Sequence, residues 1–495
     1  MIARRSGDRR RHARRSPLIV ATAAHLIGLV ALGSVGCASL GVGSQPAWLE
    51  EPPPVKHAPV VQAGALTRAE LDNGLTVLIL EDHRLPRTSL GVTVRSGAGA
   101  VDPAQAGLAE FTSEMMNRGA GARDAVALAQ AVDDMGASLS VGSDWDSMGV
   151  AVGGLSEDFD ALLEILRDVA RSPRFDPAEA DKARAEHLAG LEAARDDPAT
   201  LAQWAAMRVL YPGHRYGLPL EGTTETVTAF DADAARELHA RYFVASNAIV
   251  SVSGDVDAEV VLARLRSVFG DWPRGSTPAQ TPAPPEPTPD ARRIVIADKP
   301  ELVQARIIIT HEGLARTDDR RIPASEMNAT LGGSGFSSRM MQTLRSDAGL
   351  TYSVGSGFSL RRRPGPFVVA SFTRVPETRR AVDILLAELT EIQSTRPQTA
   401  RELAEAKSYL VGQFGLGLET SEAVMQSLVD LAVYGLPDDS LDDYRARVDA
   451  VTIEQTAAIA RELLHPSRAA IVLLGPAEAL VPQMEGLGTP VVVSP

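Results

Sequence analysis

Cysteine is nearly absent. Cys37 is the one thiol in 495 residues, so no internal disulfide can form. Basic residues are also in deficit, with 49 Lys and Arg against 63 Asp and Glu, a net of −14. Without Met1–Gly36, which carries seven Arg and one Asp, the balance is 42 against 62, or −20. Such acidity argues against a nucleic-acid partner, whose phosphates need clustered Lys and Arg. The histidines after residue 36 are His57, His83, His187, His214, His239, His311 and His465. They form no H-E-x-x-H and no pair at helical spacing, and each reads as a surface or loop residue. No G-x-S-x-G elbow supports a serine hydrolase. Gly332–Gly335 is followed by no Lys-Ser/Thr, which excludes a phosphate loop.

What is present is an ordinary globular composition, 44% hydrophobic and 23% charged, in a chain too long for one core. Seven Arg in the first fifteen residues precede an apolar run from Pro17 to about Val35, the layout of an export signal over residues 1–36. Arg14-Arg15-Ser16 also fits a twin-arginine pattern, which basic segments often meet. Cys37 follows Val35-Gly36, and Gly-Cys at this exit is similar to a bacterial lipobox, although Ser34 stands where an aliphatic residue is usual. Lipid attachment at Cys37 is the favoured reading, against an uncleaved anchor or ordinary cleavage. Residues 37–63, with Pro52-Pro53-Pro54, would form an extended tether.

Six prolines between Gly275 and Asp290 mark a linker, separating a domain at 64–274 from one at 291–495. The halves read as a repeat. Ala235-Arg236-Glu237-Leu238 precedes the strand Ala248–Val252, and Ala460-Arg461-Glu462-Leu463 precedes Ala470–Leu474. Hairpins followed by helices indicate an α+β class, two tandem layered α/β domains. In the first half, Asn73-Gly74 turns into a strand at Thr76, and a helix over Gly107–Arg118 follows. Asp124 and Ser156 are expected to cap later helices. In the second half, Arg361–Arg363 with Pro364-Gly365 reads as the solvated tip of a hairpin.

The most informative stretch is Asn328–Tyr352, N-A-T-L-G-G-S-G-F-S-S-R-M-M-Q-T-L-R-S-D-A-G-L-T-Y. The glycines Gly332, Gly333 and Gly335 interrupt a helical pattern that resumes through Met341 and Leu344 to Arg345, and a strand is expected from Leu350. With the N-G-L-x-V strand at Asn73 and Gly107-Leu108-Ala109, this resembles the pitrilysin/insulinase zinc peptidases, in their mitochondrial-processing-peptidase-like branch. The resemblance implies two domains closing like a clamshell. It also implies that Arg345, Tyr352 and the loop of Gly332, Gly333 and Gly335 meet the substrate peptide. A guanidinium and a phenol both donate to a carbonyl or an oxyanion. The competing reading puts Tyr352, Val354 and Phe358 on one core face of a strand, with Arg345 as a helix-end cation. Ser346 replaces the acid that often follows the Arg.

In active members of that family the helix after G-L-A carries H-x-x-E-H, two zinc ligands and a general base, and a later helix adds a Glu ligand. Here the ligand positions are Glu110 and Glu114, the base position is Ser113, and the third ligand falls at about Gly190, with Glu186 and Glu192 near. Carboxylates favour harder cations than zinc, and serine alone takes no proton from water. The favoured reading is a solvated helix face, Glu114 being supported by Arg118 at i+4. A hard-cation site at Glu110 and Glu114 is the minor one.

The resemblance therefore implies a chain without a catalytic residue or cofactor of its own. It would be the non-catalytic subunit of a heterodimeric zinc peptidase, exported to the periplasm and held at a membrane through Cys37. Zinc is expected in the homologous partner, and a peptide as substrate. The alternative is a catalytically dead pseudopeptidase acting as a periplasmic peptide-binding or assembly scaffold.

Overall fold

The structure, a computed structural model, describes residues 59–61, 64–278, 280–284 and 291–494. The export segment, Cys37 and nearly all of the tether lie outside the described residues, as do residues 285–290 of the linker.

The first domain contributes β1 (Leu66–Glu70), β2 (Thr76–Glu81), β3 (Arg87–Val94), a short ladder of β4 (Gly119–Ala120) with β5 (Arg123–Asp124), then β6 (Ser138–Ser143), β7 (Met148–Leu155) and β8 (Ala248–Gly254). The second contributes β9 (Arg293–Asp298), β10 (Gln304–Glu312), β11 (Val354–Phe358), β12 (Pro366–Arg374), β13 (Ala470–Gly475) and β14 (Pro490–Val493). Two six-stranded sheets result, ordered β1-β2-β8-β3-β7-β6 and β11-β12-β10-β13-β9-β14. In each, one strand pairs parallel with the late central strand, β2 with β8 and β9 with β13, and the remaining inner pairings are antiparallel. The halves thus share a five-strand topology, and the central strands β8 and β13 are the two segments whose sequence similarity suggested a repeat. Only the outermost strand differs, since β1 runs antiparallel to β2 whereas β14 runs parallel to β9. Every residue of β8 and β13 is buried, as expected of strands covered on both faces.

The cover is exchanged between domains. The helix Pro198–Leu210 of the first domain packs Leu201, Ala205 and Met207 on Val295, Ile308 and Val472 of the second sheet. Conversely, the helix Ser421–Tyr434 sets Val424, Met425 and Leu428 on Leu78, Leu80 and Ile249 of the first. Each such side chain contributes about 1.5–3 kcal/mol when fully buried. Leu428→Ala, at a site with no exposure, is expected to cost about 2–5 kcal/mol.

Local signals explain most boundaries. Gly74 adopts φ +85° in the β1–β2 turn, where L side chains are strained. Asp124 caps the helix Ala125–Asp134 by accepting from the Ala127 N–H at 2.9 Å. Ser156 does not cap the helix Phe159–Arg171. Its hydroxyl donates to Asp255 Oδ2 at 3.2 Å instead, because a short 3₁₀ turn, Ser156–Asp158, precedes the helix.

The arginine run at the β11–β12 connection is not a solvated tip. Arg361 sits 4.1 Å from the Trp145 ring centroid and 4.5 Å from that of Tyr216. The Arg362 N–H donates to Asp146 Oδ2 at 2.8 Å, and Arg363 Nε donates to the Thr281 carbonyl at 2.9 Å. These partners all lie in the first domain or the linker, so the charges fasten the domains together. Thr281 is itself buried; this part of the linker is packed.

His214, His239 and His311 are buried. Two of them, His239 in the helix Ala232–Tyr242 and His311 in β10, depart from the surface-or-loop expectation. Desolvation holds His239 down to about 4 and His311 to about 3. His311 stacks on Phe367 at 4.8 Å and accepts the His465 N–H through Nε2 at 3.3 Å.

Candidate functional site

The glycine-rich stretch forms two widened helical turns with a kink between them. The helix Arg321–Asn328 runs into Ala329–Gly333, where the Ser334 N–H reaches back five residues to the Ala329 carbonyl at 3.2 Å. After a 3₁₀ turn at Gly335–Ser337, Met341–Asp347 shows the same spacing, with the Ala348 N–H on the Thr343 carbonyl at 3.1 Å. Such i+5 turns are frequent at functional sites. Gly332 is forced by close packing, since a Cβ there would lie 2.4 Å from Ser356 Oγ and 2.9 Å from its backbone nitrogen. At Gly333 it would lie 2.6 Å from Asn328 Nδ2. Asn328 and Ser356 clamp this approach, with Nδ2 donating to the Ser356 carbonyl at 2.9 Å and Ser356 Oγ to Oδ1 at 2.6 Å. Gly335 is exposed with φ +64°.

A second anchor was not legible in the sequence. Arg339 is 8% exposed and donates through Nε and Nη2 to the two Glu402 oxygens, both at 2.7 Å. Burial alone would raise Glu402, but Arg339 and the Thr399 cap outweigh it and hold the carboxyl at about 2. This pair ties the loop to the helix Ala400–Leu416.

Arg345 and Tyr352 come together at the surface. The Arg345 guanidinium carbon lies 4.4 Å from the Tyr352 ring centroid and 4.6 Å from that of Phe336. Tyr352 is 71% exposed and Phe336 73%, so Tyr352 is no core residue. The strand starts at Val354 rather than Leu350 because Thr351 Oγ1 both donates to the Ser353 carbonyl at 2.9 Å and accepts its N–H at 3.2 Å. That local loop turns Tyr352 outward. Phe336 was missed; an aromatic between Gly335 and Ser337, with no apolar periodicity to bury it, was the available signal.

Glu110, Ser113 and Glu114 share the helix Leu108–Met116. Its start is set by Gly107 at φ +94°, where a Cβ would lie 2.2 Å from the Glu221 carbonyl oxygen. Glu110 Oε2 accepts from Ser143 Oγ at 2.7 Å. Arg118 Nη2 donates to Glu114 Oε1 and to Glu186 Oε2, each at 2.5 Å, and Nη1 lies 3.5 Å from Glu179 Oε2. Ser113 Oγ is buried without a partner. Gly190 is exposed on the neighbouring helix Pro177–Arg195, with open space where a side chain would project.

These residues do not fit zinc. The donors at Glu110 and Glu114 are hard carboxylates, they are engaged by a hydroxyl and a guanidinium, and Gly190 offers no ligand. Arg118 supplies the positive charge that three carboxylates share. No group of three or more His, Cys, Asp or Glu among the described residues is placed to hold a metal ion. No hydrogen bond, ion pair or ring contact among the described residues joins this helix to Arg345 or Tyr352.

Strands β3, β6 and β7 leave part of the first sheet open beside the Ser421–Tyr434 helix. The resulting cavity of about 350 Å³ is floored by small residues, Ser89, Gly91, Thr93, Ser140 and Ala151, with Glu422 and Gln426 opposite.

Residues 76–224 match the family model "Insulinase (Peptidase family M16)" and residues 229–410 match "Peptidase M16 inactive domain". The chain belongs to the M16 insulinase family. An uncharacterised zinc protease of Streptomyces coelicolor is 26% identical over 418 residues, 83% of this chain and 90% of that protein. A Helicobacter pylori protein named a non-peptidase homologue is 25% identical over 380 residues, 76% of this chain and 86% of that one. A solved M16 inactive domain from Pseudomonas fluorescens superposes with a TM-score of 0.77 at 26% identity, covering 83% of this chain and 98% of its own. A solved Helicobacter pylori protease gives 0.76 at 18% identity, over 83% and 99%, a likeness of fold.

Proposed function

We propose that this chain is the non-catalytic subunit of a heterodimeric M16 zinc peptidase. It associates with a homologous subunit that carries H-x-x-E-H and the zinc, and it presents Arg345, Tyr352 and the loop at Gly332, Gly333 and Gly335 to the peptide. The observation that carries this reading is the contrast between the two halves. Glu114 is closed onto Arg118, whereas Arg345 stands at the surface between two exposed aromatic rings. A guanidinium and a phenol so placed donate to a peptide carbonyl or to the oxyanion formed when water attacks it. The basic, apolar N-terminus supports a periplasmic location, and Cys37 supports lipid anchoring at a membrane. Among the described residues no helix is long and apolar enough to cross a membrane.

The test is to mix the chain with an H-x-x-E-H homologue from the same cell and follow co-elution and cleavage of a mixed peptide library. Co-elution and activity that needs both chains support the heterodimer. Equal activity of the homologue alone, with no association, removes it. A second reading, a pseudopeptidase scaffold that binds peptides or an envelope assembly, is favoured by the relative named as a non-peptidase homologue. Under it Arg345 and Tyr352 are dispensable for any cleavage.

A further inference from the structure

Arg345 has no hydrogen-bond acceptor for its guanidinium among the described residues; its side-chain contacts are the rings of Phe336 and Tyr352, at 4.6 and 4.4 Å. The following residue, Ser346, is neutral, and the next carboxylate along the chain, Asp347, accepts from Gln342 Nε2 at 2.7 Å. What sets Arg345 apart is its place between two aromatic rings that are themselves largely exposed. Here the base of the helical turn is fixed by Arg339 on Glu402 and the loop by Asn328 on Ser356, so the guanidinium is placed by packing rather than by an ion pair. Contact with aromatic rings engages its π system and leaves its planar fork of N–H donors for an acceptor from outside the chain.

We infer that Phe336, Arg345 and Tyr352 form a receptor for a carboxylate on the bound peptide, with Phe336 as a positioning residue that holds the guanidinium edge-outward. Phe336 and Tyr352 hold Arg345 in place, reducing the rotamer freedom that a long side chain loses on binding, and a carboxylate takes two parallel N–H bonds from the fork. The carboxylate comes either from an Asp or Glu side chain or from the peptide's C-terminus. This inference rests on the reading of Arg345 and Tyr352 as peptide-facing, and it adds the chemistry of the peptide they select.

The experiment is fluorescence anisotropy of the full chain with one labelled nonapeptide in four forms, Glu or Gln at a central position combined with a C-terminal acid or amide. A carboxylate form is expected to bind about tenfold more tightly than its neutral twin, and which twin responds identifies the source. Arg345→Gln should abolish the ratio. Phe336→Ala should lower it to about threefold, as for loss of an exposed cation–π contact, while Phe336→Trp restores it. Twins that bind alike overturn the carboxylate receptor and leave a peptide site standing. A ratio untouched by Phe336→Ala overturns the role of Phe336. No binding of any form overturns the inference, and partner-dependent cleavage with Arg345→Gln then decides whether the peptide-facing reading survives.

Discussion

The Tyr434 hydroxyl donates to Asp146 Oδ2 across 2.9 Å, so the two domains share one carboxylate that is 3% exposed. Asp146 accepts a second hydrogen bond from the Arg362 N–H at 2.8 Å, and Trp145 beside it packs under Arg361. Burial pushes Asp146 above the usual carboxylate range, and these two donors oppose that. The joint between the domains is therefore polar at its centre and apolar around it, where the helices Pro198–Leu210 and Ser421–Tyr434 cross to the opposite sheets.

Tyr434→Phe removes one donor to a buried charged acceptor without changing the shape of the joint. A loss of roughly 1.5–3 kcal/mol in unfolding free energy is expected, read by urea denaturation. A loss below about 0.5 kcal/mol, the scale of an ordinary surface substitution, would show that Asp146 is not shared in the way described.

Glu326 is fully buried, and both carboxyl oxygens lack a partner. Burial pushes it up to about 8, with Lys407 opposing weakly. The folded value lies above the unfolded one, so the folded state favours the protonated acid. Its contribution is fully present below about pH 4.3, the unfolded value, and is lost as pH rises through about 8. Glu326→Gln should therefore raise Tm at pH 8.5 and change it little at pH 5. Equal shifts at both pH values would contradict the buried neutral acid.

The engaged carboxylates at Glu110 and Glu114 predict that the purified chain, dialysed against buffer without chelator, retains well under one equivalent of zinc by atomic emission. One zinc per chain that disappears with Glu110→Gln and Glu114→Gln would overturn the assignment of Arg118 as the resident positive charge.

The sequence was most readable where the structure is most local. Largely apolar runs at Ala248 and Ala470 marked the central strands because both faces of each strand are covered, and Asp124 announced a helix start through its own side chain. Tyr352 was misplaced in a strand because its alternation with Val354 and Phe358 looked periodic, while the Thr351 side chain closes a turn two residues earlier than periodicity can register. Arg361–Arg363 looked solvated since like charges in a row usually are; its partner Asp146 is 216 residues away, and no pattern within a window links them. The ligand positions Glu110 and Glu114 and the base position Ser113 were located by motif, and the Glu114–Arg118 pair by its i+4 spacing, but the further pairing of Arg118 with Glu179 and Glu186 needed two helices brought side by side. Phe336 stayed hidden for the same reason, since its partner is a guanidinium nine positions on, across a kink.

The most direct test of the central claim is peptide cleavage by the H-x-x-E-H homologue, measured as kcat/KM with this chain in its native form and as Arg345→Ala or Tyr352→Phe. Because Tyr352 is largely exposed and Arg345 half-buried, both variants should unfold at the same urea concentration as the native chain and still associate. The account predicts that kcat/KM in the mixture falls by about 10²-fold or more, as for loss of an oxyanion donor. Undiminished cleavage with both variants, in a complex that still forms, would contradict it.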